Sequence, residues 1–126
     1  MAGGKITLYQ TDNLVKLYIN ITKDSLVESI IGAEVEFVME GATTENKIIK
    51  STHALDLKDK IEITDAEMGE ICVTLYRKDT EVVDTYNARI TTTYSNGTRL
   101  TNDALTSDGE KAKFQIKEPK VDFETQ

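Results

Sequence analysis

His53 is the only histidine in the chain, and Ser51 and Asp56 stand close to it in sequence. Serine, histidine and an acid are the parts of a nucleophilic triad. A triad works only when the histidine takes the serine proton and oxyanion donors face the reacting carbonyl. Nucleophiles of this kind usually sit on a strained strand-to-helix turn, and no such signal surrounds Ser51. His53 therefore reads as a histidine on a polar connecting segment. Cys72 is the only cysteine. A catalytic thiolate needs a base or another cationic neighbour, and the spacing around Cys72 supplies none, so it reads as a small residue on the outer face of a strand. One histidine and one cysteine cannot close a zinc site without carboxylates.

Carboxylates are abundant, but their pattern is sparse. Asp12, Asp24, Asp56, Asp59, Asp65, Asp103 and Asp108 mostly fall in expected turns, where aspartate side chains bond their own backbone. No EF-hand spacing occurs. Glu34, Glu36 and Glu40 share one strand face, but alternate side chains on a strand lie about 7 Å apart, too far for a tight calcium cage. No glycine-rich phosphate loop follows a strand. With no Trp and five Tyr spread over expected strands, an aromatic sugar platform is not spelled out. The expectation is no catalytic residue, no cofactor and no metal: a protein that is not an enzyme.

The elements that would carry these residues follow from composition and periodicity. A chain of 126 residues with 39% hydrophobic content makes one domain. The formal net charge of −7 repels phosphate, so nucleic acid and anionic membrane surfaces are not expected partners. A lone cysteine excludes an intrachain disulfide and fits folding in a reducing cytoplasm. The first residues do not resemble a signal peptide, and no run is long and apolar enough to span a bilayer.

Period-two alternation dominates. Ile6 and Leu8 mark a first strand. Val15, Leu17, Ile19 and Ile21 oppose Lys16, Tyr18 and Asn20. Val35, Phe37 and Met39 oppose the three glutamates. Residues 47–50, with Ile48 and Ile49, make a weaker strand, and 54–60 reads as strand or short helical turn. Ile61 and Ile63 precede a turn over 64–69. Ile71, Val73 and Leu75 alternate again, and 79–84 is a connecting corner. Residues 85–94 form the longest strand, with Tyr86, Ala88, Ile90, Thr92 and Tyr94 on one face. Asn96-Gly97 signals a type I′ hairpin. The return strand covers 98–101, a loop follows over 102–109, and 111–117 is the last strand, with Ala112, Phe114 and Ile116 inward. About 7–9 strands without a helical stripe predict an all-β, immunoglobulin-like antiparallel sandwich. Residues 1–117 are the domain and 118–126 a C-terminal tail. Tyr86, just after a corner, suits a tyrosine corner or a plain core aromatic.

Several segments in order resemble the N-terminal domain of phage baseplate upper proteins. They are the 10–13 turn inside 8–21, then Ile31-Gly32-Ala33-Glu34-Val35-Glu36-Phe37, the Asp65-to-Gly69 turn into 70–75, Asp84-Thr85-Tyr86-Asn87-Ala88-Arg89-Ile90, and Ser95-Asn96-Gly97-Thr98-Arg99. The likeness spans roughly residues 5–105. It departs at Thr85, where family members usually have glycine, and in lacking the long region that usually follows. The resemblance implies a non-enzymatic virion structural protein, tail- or baseplate-associated, acting in assembly or attachment. The other readings are a capsid decoration, neck or head-fibre protein, or a carbohydrate-binding adhesion domain whose partner would be a host-surface glycan. Its partners would be other virion proteins in a homo- or hetero-oligomer, and it would be made in the bacterial host cytoplasm and reside in the virion. Val121 and Phe123, apolar in a polar tail, are the candidate assembly contacts.

Overall fold

A computed structural model describes residues 5–24, 26–103 and 113–118. The strands are β1 (Lys5–Tyr9), β2 (Val15–Asn20), β3 (Thr22–Lys23), β4 (Leu26–Val27), β5 (Glu34–Gly41), β6 (Lys47–Ser51), β7 (Glu62–Asp65), β8 (Glu70–Leu75), β9 (Asp84–Thr93), β10 (Arg99–Asp103) and β11 (Lys113–Lys117). The larger sheet has the order β1-β11-β9-β5-β6, with β10 also on β9. The smaller has the order β2-β8-β7. β3 and β4 form a separate two-residue ladder.

The alternation that specifies strands also decides the faces. Val35, Phe37 and Met39 of β5 are fully buried, while Glu34, Glu36 and Glu40 are exposed. Ile71, Val73 and Leu75 of β8 face them from the other sheet, and one core cluster takes in both sets together with Tyr86, Ile90, Phe114 and Ile116. Two sheets share one apolar layer, which is a sandwich.

Its connectivity is that of the immunoglobulin fold. β2, β8 and β7 take the B-E-D positions; β5, β9 and β10/β11 take C-F-G, and β6 adds the C′ strand of the variable type. β1 joins the G edge in parallel, with Ile6 opposite Phe114 and Leu8 opposite Ile116. The tyrosine corner is present. The Tyr86 hydroxyl donates to the Val82 carbonyl at 2.7 Å and accepts from Asn46 Nδ2 at 3.1 Å. Tyr86 is also fully buried in the core, but its bonded hydroxyl makes it a tyrosine corner and not a plain core aromatic. Burial raises its phenol pKa. Ala88 occupies the place, two residues on, where antibody domains put their second cysteine.

Several expectations need correction. The 94–98 hairpin is not type I′, which requires positive φ at both central residues. Among the described residues only Gly97 there has it, at 91°. The Gly97 N–H bonds to the Tyr94 carbonyl, and the Tyr94 N–H to the Thr98 carbonyl. That is a three-residue loop closed by a left-handed glycine. The ambiguous 54–60 segment contains a 3-10 turn, Leu57–Asp59, because Asp56 caps it by accepting the Lys58 N–H at 2.9 Å. The 79–84 corner begins earlier, as a 3-10 turn at Arg77–Thr80. β7 continues through Asp65, with a register shift after Ile63.

The last strand differs most. β10 and β11 share one edge of β9, with Asp103 opposite Arg89 and Lys113 opposite Asn87. The intervening residues, Ala112 among them, lie outside the described residues, as do Val121 and Phe123. Setting aside the β3–β4 ladder and counting β10 and β11 as one position leaves eight ladder strands, within the expected number.

The β5–β6 turn hangs on one carboxylate. Asp84 accepts N–H bonds from Thr43 (3.0 Å), Thr44 (2.8 Å) and Thr85 (2.7 Å), and the Thr44 hydroxyl at 2.7 Å. A Cβ at Gly41 would collide with that same carboxylate. These bonds, led by the Thr44 N–H, hold the Asp84 pKa at about 2, below the ordinary 3.8. A depressed carboxyl pKa stabilises the fold above the unfolded value, and that stabilisation fades as pH falls from about 4 towards 2. Asp84→Asn is therefore expected to be less stable than the parent at about pH 5, with the gap narrowing by about pH 2.5. Denaturant titrations at both pH values check this; an unchanged gap would refute it.

Candidate functional site

The triad residues are not assembled. His53 is exposed, with Nδ1 3.9 Å from Glu34 Oε2. Ser51 is buried, and Asp56 spends its carboxylate on the 3-10 cap. Among the described residues no hydrogen bond joins the three. Cys72 has the outer-face register expected for it, opposite Tyr18 and Glu62, yet it is buried at 3% exposure. The central strand of a three-stranded sheet leaves a small side chain beneath its longer neighbours. Among the described residues no group of three His, Cys, Asp or Glu side chains is arranged to hold a metal ion.

Sequence reasoning missed a polar cluster around Lys50. The pattern of β6 places Ile49 outward, at 51% exposure, and Lys50 inward, at 1%. Lys50 Nζ lies 2.6 Å from Asp79 Oδ2 and 2.6 Å from the Lys58 carbonyl oxygen, and 5.4 Å from the centre of the Tyr76 ring. Asp79 is itself buried and also accepts the Tyr76 N–H at 2.8 Å. Asp59 extends the cluster, 3.4 Å from Lys50 and 2.6 Å from Lys78. The Lys78 hydrogen bond holds the Asp59 pKa below its ordinary value. Burial pulls Lys78 down, but its bonds to Asp59 and Asp79 outweigh this and leave it raised. Each charge has opposite partners or donors, so the cluster is a strut between β6 and the 77–80 turn rather than a reactive centre.

The surface with the features of a binding site is the outer face of the larger sheet. Register sets its rows across the strands. Glu34, Thr93 and Arg99 form one row, and Glu36, Thr91 and Thr101 the next. Ile49, Val38 and Arg89 form a third, and Lys47, Glu40 and Asn87 a fourth. Two depressions lie on this face. One depression of about 350 Å³ is lined by Glu36, Val38, Glu40, Lys47, Arg89 and neighbours. Another of about 140 Å³ lies against Glu34, Glu36, His53, Thr93 and Arg99. Glu34, Glu36 and Glu40 balance Lys47, Arg89 and Arg99, so these rows are locally neutral in a chain of net charge −7. Among the described residues none of Glu36, Glu40, Lys47 and Arg89 has an ion-pair partner. Val38 and Ile49 make an apolar centre within this charged rim. The sequence showed the glutamates as a wet face. It did not show which basic residues stand beside them, because that depends on strand order.

A further depression, of about 420 Å³, lies between the 94–98 hairpin and the β3–β4 ladder. Lys23, Glu28, Tyr94, Ser95, Asn96, Thr98, Arg99 and Leu100 line it. The Tyr94 hydroxyl is 3.4 Å from Glu28 Oε2. Burial, then the Glu28 charge, raise the Tyr94 pKa.

No family model matches the chain, and no curated protein matches it. Among solved structures, one of murine CRIg aligns over 94% of each chain at 10% identity, with a TM-score of 0.43. Strand order, register and the tyrosine corner carry the immunoglobulin-like fold.

Proposed function

We propose that this chain is a non-enzymatic structural module of a bacteriophage particle, associated with the tail or baseplate, that works by docking to other virion proteins. It is made in the bacterial host cytoplasm and incorporated into the virion. The resemblance of its ordered segments to baseplate upper proteins supports the phage setting. The outer face of the larger sheet carries the docking role. Its apolar centre at Val38 and Ile49 is ringed by charges of both signs, the arrangement of a protein–protein interface with a polar rim. Local neutrality lets a partner approach where the rest of an acidic surface repels.

Electron microscopy of the source particle tests the reading. Density for this domain at the tail tip or baseplate, with the outer face covered, supports it. Density on the capsid or neck overturns the baseplate assignment, and absence from particles overturns the phage role. The face makes a narrower prediction. Val38→Asp with Arg89→Glu is expected to lower incorporation into assembling particles by at least about tenfold, since a charge in the apolar centre and a reversed rim charge both oppose docking. Arg89 is exposed and Val38 half-buried on the outer face of a central strand, so the pair should cost about 1–2 kcal/mol of unfolding free energy and leave the domain folded. Unchanged incorporation would move the docking site elsewhere.

A further inference from the structure

The groove between the 94–98 hairpin and the β3–β4 ladder has a volume in the range of small-molecule sites. Its lining mixes three kinds of chemistry. Tyr94 and Leu100 supply apolar surface, and both pack partly against the core, which fixes their place. Lys23 and Arg99 supply two cations, with no ion-pair partner among the described residues. Glu28, Ser95, Asn96 and Thr98 supply acceptors and neutral hydrogen-bonding groups. Asn96 Oδ1 accepts the Thr98 N–H at 2.9 Å, which leaves the Asn96 amide N–H groups to donate.

We infer that this groove binds a carboxylate-bearing saccharide. A wholly apolar ligand would strip water from three charged groups and return no bond to them. A neutral sugar would leave both cations unanswered. A doubly charged phosphate meets Glu28, which opposes it more than it opposes a single carboxylate. Polynucleotides face the net charge of −7 as well. A uronic or other acidic sugar answers all three kinds of chemistry: its C–H face lies on Tyr94 and Leu100, its carboxylate brings the negative charge the two cations favour and pairs with Arg99 in the two-pronged geometry guanidinium prefers, and its hydroxyls donate to Glu28 and accept from Asn96. Arg99 borders both this groove and the depression of about 140 Å³ on the outer face, whereas Val38 and Ile49 do not line the groove. The sugar titration reads the groove and particle incorporation reads the docking face, so the failure of one is distinguishable from the failure of the other.

Titration of nitrogen-15-labelled protein with methyl glucuronide, followed by amide shifts, tests the inference. Methyl glucoside and acetate are the controls for the ring and the carboxylate alone. The expected result is saturable perturbation at residues 23, 28 and 94–100 below about 10 mM, with both controls at least about tenfold weaker. Arg99→Gln should lower the affinity about tenfold, the size of one lost charge-assisted bond. Arg99 is exposed, so the variant keeps its fold, which the unperturbed amides verify. Four results would each overturn the inference: no saturation by about 10 mM; equal binding of glucoside, which removes the role of the charge; equal binding of acetate, which makes the groove a general carboxylate site; or an Arg99→Gln variant that binds as the parent does.

Discussion

Asp79→Ala is expected to destabilise the domain by about 3–5 kcal/mol, the cost of leaving one partner of a buried ion pair alone. Lys50 is 1% exposed and its Nζ lies 2.6 Å from Asp79. Truncation leaves that ammonium with the Lys58 carbonyl and with Asp59 at 3.4 Å. It also takes the acceptor from the Tyr76 N–H. Against a total stability of about 5–15 kcal/mol for a domain of this kind, the variant should show a large fall in the urea midpoint with little change in slope. Lys50→Met together with Asp79→Asn should recover most of the loss. The methionine removes the charge yet fills much of the lysine's path, and the asparagine still accepts from Tyr76. A double variant as unstable as Asp79→Ala alone would show that the charges themselves stabilise the corner. A single-variant cost below about 1 kcal/mol would mean that the pair is open to water in solution.

Phe37→Ala is expected to cost about 3–5 kcal/mol as well, through a different mechanism. Phe37 is fully buried on β5, in the place where antibody domains carry a core aromatic on the C strand. It meets the Phe114 ring edge-to-face, with centroids 6.3 Å apart and planes at 89°. Alanine removes that contact and leaves a cavity beneath both sheets, which close-packed neighbours fill only in part. Phe37→Leu, which keeps most of the volume, should cost clearly less. Chemical denaturation of the two variants checks the ordering. Equal costs would show that the Phe37–Phe114 contact, and not the void, dominates. A cost for alanine below about 2 kcal/mol would show that the core collapses around the missing ring.

The two residues differ in how far their sequence announced them. Phe37 stands in the strictest alternation of the chain, between glutamates, and its burial follows from a period of two. The same reasoning located β2, β8 and β9, put Tyr86 and Ile90 on one face of the longest strand and Phe114 inward, and placed a hairpin at Asn96-Gly97. It misjudged the turn type because one left-handed residue suffices in a three-residue loop, and Asn-Gly composition does not count the loop residues. It placed β6 as a strand but assigned no faces there, because adjacent Ile48 and Ile49 break the alternation. The strand buries Lys50 because Asp79, on a distant turn, comes within reach of its ammonium. No local pattern carries that pairing, since the two positions are far apart in the chain and each alone looks like an ordinary surface charge.

The candidate surfaces divide along the same line. That Glu34, Glu36 and Glu40 share a face is a property of one strand, and the sequence alone determined it, as it determined the all-β class, the single core and the inward residues of the main strands. Only the tertiary structure decided that Arg89 and Lys47 flank those glutamates, that β10 and β11 share one edge of β9, and that Lys23 meets Tyr94 and Arg99 across a groove. Strand faces follow from local backbone geometry, in which successive side chains alternate. Strand order, register between distant segments and the pairing of buried charges follow from the closure of two sheets around one core, a condition on the whole chain at once.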